Sequence, residues 1–329
     1  MLPALPGQTA DLILKQVAKK TKALDIRVNG GRPAHSMKER SAAPSSSLVR
    51  RRSCNAQVIM HFREGVSIND LRIDTHGGHI QVYSPLQVKG STHVNTKSGR
   101  IDADSFFNTR RTFISSGSSS LQGHFKLYDL LSISSTSGVI DVTVEPQEAD
   151  PKNPKPAELV VDSRSGMVNL GTTRTPLARE YITTVESRDG QIHGTILHGS
   201  KTLIKSQSGQ INLDVVPYSD KPSNLHISSA SGRQQINVLS PIAASSRSGS
   251  LGRMQSTHTS QSGAMQLSYP PEWAGKIDGS TSSGSIEVRG VGVDVIDKGQ
   301  HYIRAEKDAG EGKSELIFRG QSGSVGLRF

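Results

Sequence analysis

From about residue 70 onward the chain alternates apolar and polar residues one by one, and the alternation breaks at a recurring Ser-Gly pair. The copies run Thr75–Val82, Thr96–Ala103, Ser120–Leu127, Ser135–Val142, Ser163–Leu170, Ser187–Gly194, Ser206–Leu213, Ser229–Ile236, Ser246–Arg253, Ser260–Leu267, Thr281–Val288 and Gly320–Leu327. Their corner glycines are Gly78, Gly99, Gly123, Gly138, Gly166, Gly190, Gly209, Gly232, Gly249, Gly263, Gly284 and Gly323. Three residues before the glycine, 11 of 12 copies have Ser or Thr; two after it, 11 are apolar; three after it, none is. Five before it, nine are apolar. This is period-2 alternation on both sides of a glycine, which a helix cannot produce, so each copy reads as strand, tight corner, strand. Glycine supplies the corner conformation, and the neighbouring Ser and Thr can bond the backbone groups that a corner frees. The apolar parity slips by one across the pair, as a bend requires if both strands are to face one interior.

From Gly99 to Gly284 the glycines recur on average about every 21 residues, in steps of 14 to 28. A repeat of this size predicts stacked units, each too thin to bury its own apolar face. The expected fold is all-β: a right-handed parallel β-solenoid (β-helix) with rungs of roughly 20 residues. An antiparallel hairpin meander or sandwich is the alternative, and the steps of 14, 15 and 17 residues are short for a full rung. The repeat domain is expected over residues 58–329. It is broken by a Pro-rich excursion loop at 145–158 and an irregular insertion at 290–319 that contains three strand-like runs. Gly320–Phe329 ends on a motif copy, and an open sheet edge there would permit edge-to-edge self-association.

Composition adds two points. Gly (32), Ser (47) and Pro (15) are abundant enough to suggest disorder, but the Gly/Ser excess is largely spent on repeat corners from residue 70 onward. The net charge of +10 is concentrated in the first 53 residues, which carry 11 Lys/Arg against 3 Asp/Glu. The rest is near neutral, which argues against nucleic acid as the partner. Residues 1–57 read as a basic, mostly disordered tail with a short amphipathic helix over 9–24. Arg50, Arg51, Arg52, Ser53 and Cys54 form a candidate site of phosphorylation, acylation or contact with an anionic membrane. Cys54 is the only cysteine, and no apolar run exceeds three residues, so neither a disulfide framework, a transmembrane helix nor a secretory leader is expected.

Few residues suggest chemistry. His76/His79 and His193/His198 lack the acidic or cysteine company of a metal site and read as exposed polar positions. Gly310–Ser314 ends like a phosphate-binding loop, but Lys307 stands where the first glycine is needed. Asp102, Lys126, Asp141 and Glu287, each three after a motif glycine, are expected to face outward on a polar surface. Trp273 is a candidate sugar platform, or else caps a loop against the core. No catalytic, cofactor or metal residue is expected.

The repeats resemble the adhesin-type β-repeat domains of unknown function found in bacterial and fungal proteins. EPQEADPKNPKPAEL, TILHGSKTLIKSQSGQINLDVVPY and YPPEWAGKIDGSTSSGSIEVRG are most similar to the fungal branch. The resemblance, over about residues 66–329, implies a β-helix or related solenoid without enzymatic activity. Fungal members often carry a transmembrane helix before the repeats, outside the cytosol. Here Asn55–Phe62 is too short to span, and there is no N-glycosylation sequon, so a cytoplasmic or membrane-peripheral location is expected. A gene start placed downstream of the helix would also account for this. The functional expectation is a non-enzymatic, adhesin-like scaffold that binds protein or polysaccharide through its faces. The alternatives are a polysaccharide-active β-helix enzyme and a peripheral membrane protein recruited by its tail.

Overall fold

The computed structural model describes residues 67–329 except 83–85, 104–106, 174–176, 178, 218–221, 242–250, 252 and 309–311, and also strand segments at 12–13, 23–28 and 58–59. The described chain is built from strands. A 15-stranded sheet takes the strand before each corner, and an 11-stranded sheet takes the strand after it. Leu130–Ser135, for example, lies between Phe107–Ser116 and Ala157–Ser163, parallel to both. Past the corner, Ile140–Pro146 lies between Leu121–Leu127 and Val168–Thr172, again parallel. Strands on either side of a corner therefore pair with the neighbouring repeats and not with each other. This rules out the hairpin meander and makes the repeat solenoid-like.

The core is a narrow ladder between the two sheets. Five positions before the corner, Ile114, Ile133, Val161, Val185, Ile204 and Ile227 stack in register, each at most 3 % exposed. Two and four positions after it, Ile140/Val142, Val168/Leu170 and Ile211/Leu213 fill the facing layer. Each such side chain contributes about 1.5–3 kcal/mol by leaving water, so one thin rung becomes stable only when stacked.

Two expected corners are corrected by the pairing. Ser116, not Ser120, is in register with Ser135, so the corner of that rung falls at Ser119. Gly123 instead sits inside the strand Leu121–Leu127, opposite Ala103 and Val142. Gly249 lies outside the described residues. The rungs before and after it, Ser223–Ser231 and Met254–Ser262, pair directly, leaving no place for a rung between them. The three short steps all arose from these two glycines. Between Asp70 and Ser260, paired residues of neighbouring rungs lie 19 to 31 positions apart, with the longer steps containing loops.

The C-terminal end is also corrected. Ser314–Ser322 lies between Met254–Ser262 and Gly275–Ser283, parallel to both. Val325–Arg328 is likewise flanked by Met265–Ser268 and Ile286–Arg289. Gly320–Phe329 is thus an inserted rung with no free edge. The outermost rung is Gly275–Arg289, and its first strand is capped by Tyr302–Lys307 and then Val293–Lys298, paired antiparallel. These are two of the three strand-like runs expected in the 290–319 insertion; the third belongs to the inserted rung. The edge strand Val293–Lys298 is interrupted by a register shift and carries Asp294, Asp297 and Lys298, features that discourage further pairing.

At the other end, Ala23–Val28 adds a parallel strand to Asp70–Thr75, and Leu12–Ile13 pairs with Val58–Ile59. The described parts of the segment expected to be a helical, disordered tail are therefore strands. ALDIRV has the period-2 alternation of the repeats, which the lysine-rich context masked. Among the described residues no helix is long and apolar enough to cross a membrane.

Candidate functional site

The two serines of the motif act differently. The first faces inward and staples its own corner. Ser135 Oγ accepts from Gly138 N–H and donates to Gly138 C=O, both at 2.9 Å, and Ser187 and Ser206 repeat this at 2.8–3.1 Å. Ser116 donates to the carbonyl of Ser119 at 2.8 Å, which marks the same corner where glycine is missing. The second serine is exposed and ties its rung to the next. Ser165 Oγ donates to Thr136 C=O at 3.1 Å and Ser208 to Arg188 C=O at 3.2 Å. Glycine follows because the rungs touch there. A Cβ on Gly166 would lie 1.9 Å from Gly138 O, and one on Gly138 would lie 1.9 Å from Ser119 O. Close approach of backbones, more than left-handed φ, is the common cause.

These corners stack into a trench that runs along the solenoid. One wall is the column four before the corner: Asp162, Glu186, Lys205, Ser228, Thr259 and Arg319. The other is the column two before it: Arg164, Arg188, Gln207, Ala230, Gln261 and Gln321. Between them lie Ser163, Ser187, Ser206, Ser229, Ser260 and Gly320. The trench holds about 900 Å³. Crossing six strands, it is ~24 Å long at the usual strand spacing. Lys205 Nζ is 3.2 Å from Glu186 Oε1, and Arg319 is 3.1 Å from Asp278 on the adjacent rung. Arg164 and Arg188 stack on neighbouring rungs, and among the described residues neither makes an ion pair. The trench residues were not anticipated from the sequence. Counting outward positions before the glycine, and not only after it, would have found them.

The 11-stranded sheet presents a flatter face. Gln81, Asp102, Gln122, Asp141, Asn169, His193, Asn212, Gln235 and Gln266 stand in register, one per rung. Asp102 and Asp141 face outward as expected, but Gln122 separates them, and Asp102 is held by Arg100 at 3.2 Å. Glu287 is in the same column at the far end, opposite Gly326. Lys126 is not in the column: its register followed from Gly123, and it pairs opposite Glu145.

Other sequence candidates fall elsewhere. Trp273 is wholly buried, with Phe329 at 5.1 Å and Tyr269 at 5.8 Å between ring centres. Its faces are closed to a sugar, which corrects the platform expectation, and the ring seals the last rungs. His198 is also buried, 2.8 Å from Thr202 Oγ1, because it shares the inward parity of Ile192 and Ile196. Burial lowers its pKa to about 4. His258, 2.8 Å from Tyr269 OH, is lowered to about 3, chiefly by burial. Ser314 opens the inserted rung rather than a phosphate loop: it accepts from Met254 N–H at 2.9 Å and donates to Leu251 C=O. Among the described residues no group of three His, Cys, Asp or Glu could hold a metal. Arg50, Arg51, Arg52, Ser53 and Cys54 lie outside the described residues.

No curated protein and no solved structure matches the chain. Residues 123–327 match the Toastrack DUF4097 family, and the match starts within the strand Leu121–Leu127 and ends in the inserted rung. Because it spans well over half of the 329 residues, with the Ser-Gly corners and parallel sheets described above, the chain belongs to the Toastrack DUF4097 family of β-repeat proteins, whose function is unknown.

Proposed function

We propose that the protein is a non-enzymatic, adhesin-like scaffold whose corner trench holds an extended polymeric ligand. We assign the solenoid a right-handed course, as parallel crossovers nearly always take, with rungs of roughly 20 residues. The observation that carries the reading is the trench, in which side chains from six rungs line one continuous path. Its walls carry three Arg and three Gln, which can bond a polar chain repeatedly along its length. Repeated weak contacts add up to affinity through length, without a deep pocket. The acidic Glu186 is engaged by Lys205, which suits binding better than proton transfer.

The test is a screen of the purified full chain on an array of glycans and extended peptides, alongside a variant that fills the trench, Ser228→Trp with Ala230→Trp. The proposal expects ligands longer than one rung to be retained by the wild type and lost by the variant. Ligands retained equally by both would overturn the trench. Release of shortened ligand fragments by the wild type would overturn the non-enzymatic reading.

A further inference from the structure

The order of rungs in space differs from their order in the chain at one place. Met254–Ser268 is followed in sequence by Gly275–Arg289, yet Ser314–Phe329 lies between them in both sheets. The inserted rung is held in a slot by non-covalent contacts with both neighbours. Ser322 Oγ donates to Gln261 C=O on one side, and Ser283 Oγ donates to Gln321 C=O on the other, both at 3.3 Å. Ser314 fastens the start of the rung to Met254 and Leu251. Inside, Phe318 fills the space left by Gly279: a Cβ on that glycine would lie 1.9 Å from the phenyl ring.

A single connection, residues 308–313, joins this rung to the chain before it. It begins at Asp308, the only described non-glycine residue with positive φ, at 49°. Asp308 N–H donates to Gly292 C=O at 3.1 Å, and Gly292 is itself at φ 76°. A connection of six residues that leaves Asp308 in a disfavoured backbone conformation is the kind that favours strand exchange, because a new path from Asp308 relieves that strain while the exchanged element regains all its contacts.

We propose that Ser314–Phe329 is an exchangeable rung, and that two copies of this chain associate by each inserting this rung into the slot of the other. A second copy is the fitting partner, because the slot asks for a large aromatic residue opposite Gly279 and for serines where Ser314 and Ser322 bond its Met254 wall. A foreign strand would leave a void or unpaired groups. The resulting dimer reproduces every contact of the monomer except the path of the connection.

The experiment uses full-length chains with Cys54→Ser, in two differently tagged forms. One carries Ser262→Cys and the other Ser322→Cys, residues that face each other in register across the slot. The two forms are unfolded, mixed, refolded at increasing concentration, separated by size and oxidised. The expected result is a dimer fraction that grows with concentration and contains a 262–322 disulfide joining the two tags. Asp308→Gly, which removes the backbone strain, is expected to lower that fraction several-fold. A parallel pair, Ser283→Cys with Ser322→Cys, reads the opposite wall of the slot. Monomer alone at every concentration, or dimers without an intermolecular disulfide at either wall, would overturn the proposal.

Discussion

At the scale of single residues, the motif divides its work between two serines that look alike in sequence. The inward serine satisfies both a donor and an acceptor of a buried corner, whereas the outward serine adds one solvent-exposed bond between rungs. Removing the first leaves buried polar groups unpaired, which is the costlier loss. Ser135→Ala should therefore destabilise by about 2 kcal/mol and Ser137→Ala by less than about 1 kcal/mol, measured by urea unfolding; equal costs would contradict this division. The buried imidazoles give a second expectation at this scale. His198 and His258 take up a proton near pH 6.5 when unfolded, but only at about 4 and about 3 when folded. Between these values the unfolded state binds more protons, so stability is complete above pH 6.5 and falls as the pH drops below it. From pH 8 to pH 5 the loss should be about 2 kcal/mol for each histidine. His198→Gln with His258→Gln should flatten the change in urea midpoint over that range, and an unflattened profile would show that other groups control it.

At the scale of elements, the alternation around each glycine was enough to place most strands, because side-chain parity is local information. Which copies are true corners was not, because a corner is defined by what the next rung presents. Gly123 has apolar residues two and four positions after it, as a corner does, yet its strand runs straight on, and only the in-register pairing of Ser116 with Ser135 reveals the corner at Ser119. The trench was hidden for the same reason: Arg164 and Arg188 are ordinary surface residues until their rungs are stacked. The stacking order at the end of the solenoid depends on side-chain volume across rungs, since the motifs at Thr281–Gly284 and Gly320–Gly323 have nearly the same pattern while Phe318 and Gly279 are complementary. Phe318→Ala should cost about 3–5 kcal/mol through the cavity it leaves. Gly279→Ala should cost about 1–3 kcal/mol in the wild type and less when Phe318 is Leu. A double-mutant cycle on unfolding free energies measures that coupling, and additive costs would mean the two residues do not pack as described. The Pro-rich excursion is held in a different way. Arg179 donates to Gln147 C=O and Lys155 C=O, each at 2.6 Å, and lies beside Asp129. Arg179→Gln should speed tryptic cleavage at Lys152–Asn153 roughly tenfold, equivalent to about 1.4 kcal/mol of easier local opening, with the rest of the digestion pattern unchanged apart from the Arg179–Glu180 site that the substitution removes.

At the scale of the whole molecule, a solenoid is a one-dimensional stack in which each rung is stabilised by its neighbours, so the loss of one rung should propagate in the direction that depends on it. The inserted rung makes that direction differ from the chain direction. Gly275–Ser283 has Ser314–Ser322 on its inner side and only the antiparallel cap on its outer side. Without the inserted rung it could be kept only by moving onto Met254–Ser262, which would set Gly279 against His258 and replace a phenyl ring with a void beside a buried imidazole. Tyr269 and Trp273 would also lose Phe329 from their cluster. A chain ending at Lys313 should therefore lose hydrogen-exchange protection across residues 275–307 as well, although all of these residues are still present. Protection across Tyr181–Val238, which is supported from both sides by intact rungs, should persist. If 275–307 stays protected in the truncated chain, the outer rung can close onto its sequence neighbour, and the inserted rung is an addition to the stack, not the support of its end.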